Sequence, residues 1–278
     1  MTRVGCYQLP VTEGKVEENL ARAGSAIRDA AAQSIQVLVL PECFLTGFLC
    51  ASEDEAHALA LDVGRGDEGM LVSPGPVLSA LQRVVEDMGV VTIVGYAGRD
   101  SGGLYNAAAL LEPGRPPRYY AKTHLPVLGF DRFARPGSSL PVFETAHGRI
   151  GIVICFDLRI PEASRTLALR GADLIVLPTN WPKGADLTPL HYAPTRASEN
   201  RVFLATCNRC GGHGGVEFIG QSAIHALEGE RLASMDREAG LIWADLDLPS
   251  ARRKTRVVIP GEYETDTFAT RQPEIYGP

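Results

Sequence analysis

Apolar residues in this chain switch between two spacings, and the switches divide it into short strands and helices. Runs with strand character cover Val4–Gln8, Val37–Leu40, Val90–Tyr96, Ile150–Cys155, Asp173–Leu177, Val202–Cys207, Gln221–Ala226 and Leu241–Leu246. Tyr105–Leu111 and Arg118–Lys122 read as a hairpin around Glu112-Pro113-Gly114. A helix is predicted over Glu18–Ala32, where Leu20, Ala23, Ile27 and Ala30 or Ala31 share one face. Pro76–Met88 carries Val77, Leu81, Val84, Val85 and Met88 on one side, and Gly89 closes it. Glu162–Arg170 is a third helix, stopped by Gly171, and Pro249–Arg256 a last one. From Ile259 onward the chain reads as loop. Strand–helix alternation alone predicts a doubly wound α/β sheet. No internal repeat, low-complexity tract or linker interrupts it.

The 278 residues fit one large α/β domain or two small ones, with ample core. A formal net charge of −6, with no Lys/Arg cluster, argues against a nucleic-acid partner. The longest apolar stretch, Ile35 to Ala51, is broken by Glu42 and Gly47, so no membrane span is expected. Met1–Cys6 has no signal-peptide character, so a cytoplasmic location is expected. The six cysteines then read as thiols, and Cys207-x-x-Cys210 as two unrelated ones, because no second pair stands at zinc-site spacing. Gly211–Gly215 is a flexible loop that lacks the Lys-Ser/Thr of a phosphate cradle.

The candidate chemistry lies where strands end. Gly151-Ile152-Val153-Ile154 runs into Cys155, and Pro161 and Glu162 suit the first turn of a following helix. A thiol at such a corner is held rigidly and faces a site. It acts as a nucleophile only when one group takes its proton and another stabilises charge on the substrate. Leu38-Val39-Leu40-Pro41-Glu42 brings Glu42 out at a strand tip, and Tyr119–Leu125 carries Lys122. Taken singly, each has an ordinary alternative: a small buried hydrophobe, a solvated loop acid, an edge-strand lysine facing water. Cys43, beside Glu42, precedes no helix start and is not a rival nucleophile.

The segments LPECFLTGF (40–48), GGLYNAAALLEPG (102–114), YYAKTHLP (119–126), GIVICFDLRIPEASRTLALRGADLIVLPTNWP (151–182), ASENRVFLATCNRCG (197–211), FIGQSAIHALEGE (218–230) and RQPEIYG (271–277) resemble, in this order, the nitrilase or carbon–nitrogen hydrolase superfamily. The resemblance implies an α/β fold of the four-layer αββα sandwich type with two mixed β-sheets, and a single domain over 1–278. It implies a homodimer or higher oligomer, with the tail from about 259 at the interface. The family's Glu-Lys-Cys triad falls on Glu42, Lys122 and Cys155. No cofactor and no metal are implied.

In the implied mechanism Cys155 attacks a carbonyl carbon and Glu42 shuttles the protons. Lys122 favours the thiolate and, with the Phe156 N–H, stabilises the oxyanion. Many members carry a second Glu between the Lys and the Cys. Here residues 128–137 hold no Glu, and Asp131, the nearest acid and one methylene shorter, is expected to take over its role of orienting the Lys and positioning substrate; the alternative is a surface pair with Arg132 or Arg135. Asn180 and Trp181 match the substrate-facing position, with Trp181 either a pocket wall or a half-buried structural aromatic. Asp157, Arg159 and Glu162, like Glu199, Asn200 and Arg201, are expected to form supporting charge networks away from substrate. His124 is expected behind the site or in a purely structural role. The implied activity is hydrolysis of a small-molecule carboxamide to acid and ammonia through a thioester. An N-carbamoyl amino acid or a nitrile would use the same triad, and a non-catalytic metabolite-binding member is the alternative of another class. Substrate identity rests on loops 46–75, 123–140 and 181–195.

Overall fold

In the computed structural model, which describes residues 1–276, the period-two pattern decides the layers. Val37 and Val39 face one core, while Leu38 and Leu40 face another. Leu174 and Val176 face the first core, while Ile175 and Leu177 face a third. Two sheets therefore enclose a common core and each keeps an apolar outer face. The first sheet has the order Gly240–Leu246, Thr2–Gln8, Val37–Val39, Val91–Asp100, Gly103–Leu111, Arg118–Ala121, with Leu61–Asp62 beside Val91–Asp100. The second has the order Arg231–Ser234, Ala223–His225, Phe203–Asn208, Leu174–Thr179, Gly148–Ile152, Val142–Thr145. In each, parallel pairs sit at the centre and antiparallel strands at the edges.

Helices cover the outer faces. Ala23, Ile27 and Ala30 of Val16–Ala32 join Leu78, Leu81 and Val85 of Gly75–Met88 on the first sheet. Ala163 and Leu167 of Pro161–Leu169 join Ala193 and Ala197 of Ala193–Asn200 on the second. The result is the αββα sandwich with two mixed sheets, not the single doubly wound sheet that alternation alone predicts. Among the described residues no helix is long and apolar enough to cross a membrane.

Four expectations change. The strand predicted over Ile150–Cys155 ends at Ile152, because Asp157 Oδ2 takes the Ile154 N–H at 2.9 Å and Cys155 turns left-handed, φ 46°. The helix predicted over Pro249–Arg256 is one 3-10 turn, Leu248–Arg252. The β-rich Thr255–Ile259 leaves it as a strand that pairs with Tyr263–Asp266, so the tail is not all loop. Gly211–Gly215 belongs to a hairpin, Cys210–His213 with Val216–Ile219, whose turn is Gly214-Gly215 at φ 55° and 82°. Gly277 and Pro278, the end of the matched tail, lie outside the described residues.

Candidate active site

The site forms beyond the carboxyl ends of the central strands, the usual ligand position in open α/β sheets. Glu42 leaves the first sheet just after Val37–Val39. The turn carrying it packs against Gly95, where an added Cβ would stand 2.4 Å from Cys43 N and 2.7 Å from Glu42 Cα. The backbone bonds Gly95 N–H to Pro41 O and Leu45 N–H to Gly95 O fix that approach. Lys122 follows the strand Arg118–Ala121, its N–H donating to Asn106 O at 2.8 Å.

Three buried charges meet here. Lys122 Nζ donates to Glu42 Oε1 at 2.8 Å and to Asp131 Oδ2 at 2.5 Å. Asp131 thus lies inside, not in a surface pair with Arg132 or Arg135. Asn106 Nδ2 donates to Glu42 Oε1 at 2.8 Å and to Asp131 Oδ1 at 2.7 Å. Glu42, Lys122, Asp131 and Asn106 are each no more than 2 % exposed. Burial alone would lower the Lys122 ammonium, but Asp131 and Glu42 outweigh it and hold the group well above its ordinary range. Burial pushes the Asp131 carboxyl up to about 6, against the pull of Lys122. Two atoms stay open: the third hydrogen of the ammonium, and Glu42 Oε2, which is buried with no partner among the described residues.

Cys155 comes from the second sheet. It opens the 3-10 turn Cys155–Arg159 in a left-handed conformation that a non-glycine residue holds only where its surroundings enforce it. Asp157 supplies the constraint. Its Oδ2 takes the Ile154 N–H and the Tyr120 hydroxyl. Its Oδ1 takes the His124 N–H and faces His124 Nδ1 at 2.7 Å, and this contact raises the His124 imidazole above its usual range. The Cys155 turn is thereby tied to the strand end that carries Lys122. At the far end of the turn, buried Arg196 donates to Leu158 O at 3.0 Å. Burial pushes the Cys155 thiol up to about 12, helped by the negative charge of Glu42 and opposed by Lys122. Lys122 pulls toward the thiolate, in the expected direction, but burial and Glu42 outweigh it.

A cavity of about 360 Å³ opens on Cys155. Phe156, Asn180 and Trp181 line it, as do Arg159 and Lys183. The Phe156 N–H lies in the first turn of the 3-10 helix, where no helical acceptor serves it. Asn180 is 2 % exposed, yet neither polar atom of its side chain has a partner among the described residues. Trp181 is a wall of the cavity and part of the outer core at once. Arg159 corrects the sequence reading: it faces the cavity instead of joining a network with Asp157 and Glu162. Asn106 and Arg196 were missed. Asn106 had a signal, a lone polar residue within the apolar strand Gly103–Leu111, where a buried amide needs partners. All six cysteines are free thiols.

This arrangement, a cysteine at the mouth of a cavity backed by a buried Glu-Lys pair on an αββα sandwich, is that of an enzyme cleaving carbon–nitrogen bonds. The carbon-nitrogen hydrolase family model matches residues 3–256, and the chain belongs to that family. It is 32% identical over 287 aligned positions to a nitrilase of Pyrococcus abyssi, covering 99% of both chains. It is 31% identical to a 2-oxoglutaramate amidase of Bacillus subtilis, over 88% of this chain and 90% of that one. An amidase structure from Nesterenkonia sp. superposes with TM-score 0.74 at 26% identity, covering 88% of this chain and 90% of the other. A variant of the amidase from Nesterenkonia sp. AN1 (TM-score 0.75, 25% identity, 91% and 97% covered) shows acrylamide joined by Michael addition to its active-site cysteine.

Proposed function

We propose that the chain hydrolyses small carboxamides to the acid and ammonia through a thioester on Cys155. The observation that carries this is the convergence of Glu42 and Lys122, 2.8 Å apart, with both charges acting on the Cys155 sulfur. Burial holds the thiol well above its ordinary range, so the thiolate is a minor species at neutral pH and proton removal accompanies attack. Glu42 Oε2 takes the Sγ proton as sulfur bonds to the carbonyl carbon. The negative oxygen so formed accepts from the third Lys122 hydrogen and the Phe156 N–H. Glu42 returns the proton to the amine nitrogen as the C–N bond breaks and ammonia leaves. It then takes a proton from water, whose oxygen attacks the thioester carbon, and returns it to sulfur as the acid departs. Asp131 fixes Lys122 in place of the longer acid common in the family.

Arg159 and Lys183 in the lining, with no carboxylate among the lining residues, favour an amide whose far end is anionic. The Bacillus relative, named for 2-oxoglutaramate, supports the same reading. Asn180, with donor and acceptor both open, supplies a further polar contact. Ammonia release over matched amides, with and without a terminal carboxylate, and with Cys155→Ala as blank, tests it. No release above the blank from any amide would end it. We also infer that a second copy covers the tail, where Val257, Val258, Ile259 and Tyr263 are each about half exposed. A monomer by light scattering at micromolar concentration would remove that inference.

A further inference from the structure

Four side chains, Glu42, Lys122, Asp131 and Asn106, form a closed ring that decides which Glu42 oxygen acts. Lys122 Nζ and Asn106 Nδ2 each bridge the same two carboxylates, Lys122 through Glu42 Oε1 and Asp131 Oδ2, Asn106 through Glu42 Oε1 and Asp131 Oδ1. Glu42 Oε1 accepts twice. Glu42 Oε2, fully buried, accepts from no group among the described residues. A buried carboxylate oxygen without a partner is rare enough to need a role. We propose that Asn106 is a positioning residue that commits Glu42 Oε1 to the ring and leaves Oε2 as the sole basic atom toward Cys155.

Only certain side chains can do this. The bridge needs two diverging donors on one atom and no added charge next to Lys122. The amide nitrogen meets both conditions; a hydroxyl has a single hydrogen and an arginine would bring a second cation. Charge makes the need plain. Glu42 and Asp131 carry two negative charges against one on Lys122, in a site closed to solvent, so neutral donors must satisfy the remainder. The Asn106 carbonyl is held in turn by the Cys43 thiol at 3.5 Å, which fixes the amide's orientation. The ionisable groups facing the cluster are Lys122, Cys43 and Cys155, with Glu13 beyond Cys43, and Cys50 and Arg132 beyond Asp131. Lys122 is the one cation in contact with either carboxylate among the described residues.

This assignment rests on the proposed amide hydrolysis, and the test separates the two. kcat and KM are measured from pH 4.5 to 8.5 for wild type, Glu42→Gln, Asn106→Asp and Asn106→Leu, per mole of folded protein. Asn106→Asp keeps the shape but turns a double donor into an acceptor and places three acids round one ammonium. Its kcat at pH 7 is expected to fall about 100-fold with KM within roughly threefold, and the acid limb of its profile to move up by about one pH unit or more. Asn106→Leu is expected to lower kcat similarly with a smaller shift of the limb. If wild type is inactive or Glu42→Gln stays active, the functional reading falls. If wild type is active, Glu42→Gln is dead and the Asn106→Asp profile overlies wild type, the Asn106 assignment alone falls. Failure of both Asn106 variants to fold, with Asp131→Asn folded, would also overturn it, since the bridge would then serve the sheet and not the base.

Discussion

The two sheets contribute opposite kinds of surface to the site. From the first come Glu42, Lys122, Asn106 and Asp131, buried and tied to one another by four short hydrogen bonds. From the second come Cys155, Asn180 and Arg159, which open on the cavity, and the amide of Asn180 has no partner among the described residues. The first half is pre-arranged, so that charge faces no reorganisation cost during reaction. The second is left incomplete, so that a substrate completes it. Proton transfer should therefore be sensitive to small changes of geometry in the first half, and substrate choice to changes of chemistry in the second.

The largest break should come from the ring. Glu42→Gln keeps the shape and removes the base, and kcat is expected to fall about 10³–10⁴-fold, the range that general acid–base catalysis supplies. Rapid iodoacetamide labelling of Cys155 should vanish with it. Rapid labelling that persists would show that the thiol is activated without the carboxylate. Next comes Gly95→Ala, distant from chemistry but pressed on the Glu42 turn, with its new Cβ 2.4 Å from Cys43 N. Overpacking of this kind costs about 1–3 kcal/mol of stability, read from denaturant unfolding, and the displaced base should lower kcat about 100-fold. An active, destabilised Gly95→Ala would mean that the ring tolerates displacement, and the contrast between halves would weaken.

In the open half the expected effects are selective. Arg159→Gln should lower kcat/KM about 30-fold for an amide ending in a carboxylate, as loss of a charge-assisted bond of ~2 kcal/mol implies. A neutral amide of equal length should change little. Equal losses on both would return Arg159 to a structural part. For wild type, activity should decline about tenfold per unit as pH falls below the range near 6 where Asp131 titrates, because the protonated carboxyl gives up its hold on Lys122. A profile flat to pH 4.5 would separate Asp131 from the working ring.

Legibility in the sequence followed the same division. The apolar runs gave ten of the thirteen strands of the two sheets, since a run such as Val37–Leu40 is a local pattern, and missed Leu61–Asp62, Val142–Thr145 and Arg231–Ser234. That two sheets stack came only from the family resemblance, because alternation alone does not tell one sheet from two. Glu42 and Cys155 were readable as candidates at strand ends, and Lys122 inside a strand-like run. Asn106 offered only its polarity within an apolar strand and no hint of its partners, because its bonds reach Glu42 and Asp131 across 64 and 25 residues. The Cys155 corner departed from its predicted strand because one side chain, Asp157, captured the Ile154 N–H. The misread helix at Pro249–Arg256 shows a proline start outweighed by the β-branched run behind it.

The smallest effect should fall on Cys43, where the two halves are easiest to confuse. It adjoins Glu42, shares a left-handed backbone with Cys155 (both φ 46°), and its sulfur donates to Asn106 Oδ1. Yet it is fully buried, and burial with the nearby Glu42 and Asp131 charges holds its thiol well above the ordinary range. Cys43→Ala removes one weak donor and leaves the ring's four bonds intact. Its kcat is expected within about threefold of wild type, with stability lower by ~1–2 kcal/mol for the cavity and the unpaired amide oxygen. Rapid iodoacetamide uptake should stay at one per chain in Cys43→Ala and drop to none in Cys155→Ala. Should Cys43→Ala instead lose activity as Asn106→Asp does, the thiol would have to be counted a fifth member of the ring, since it touches the cluster only through the Asn106 amide.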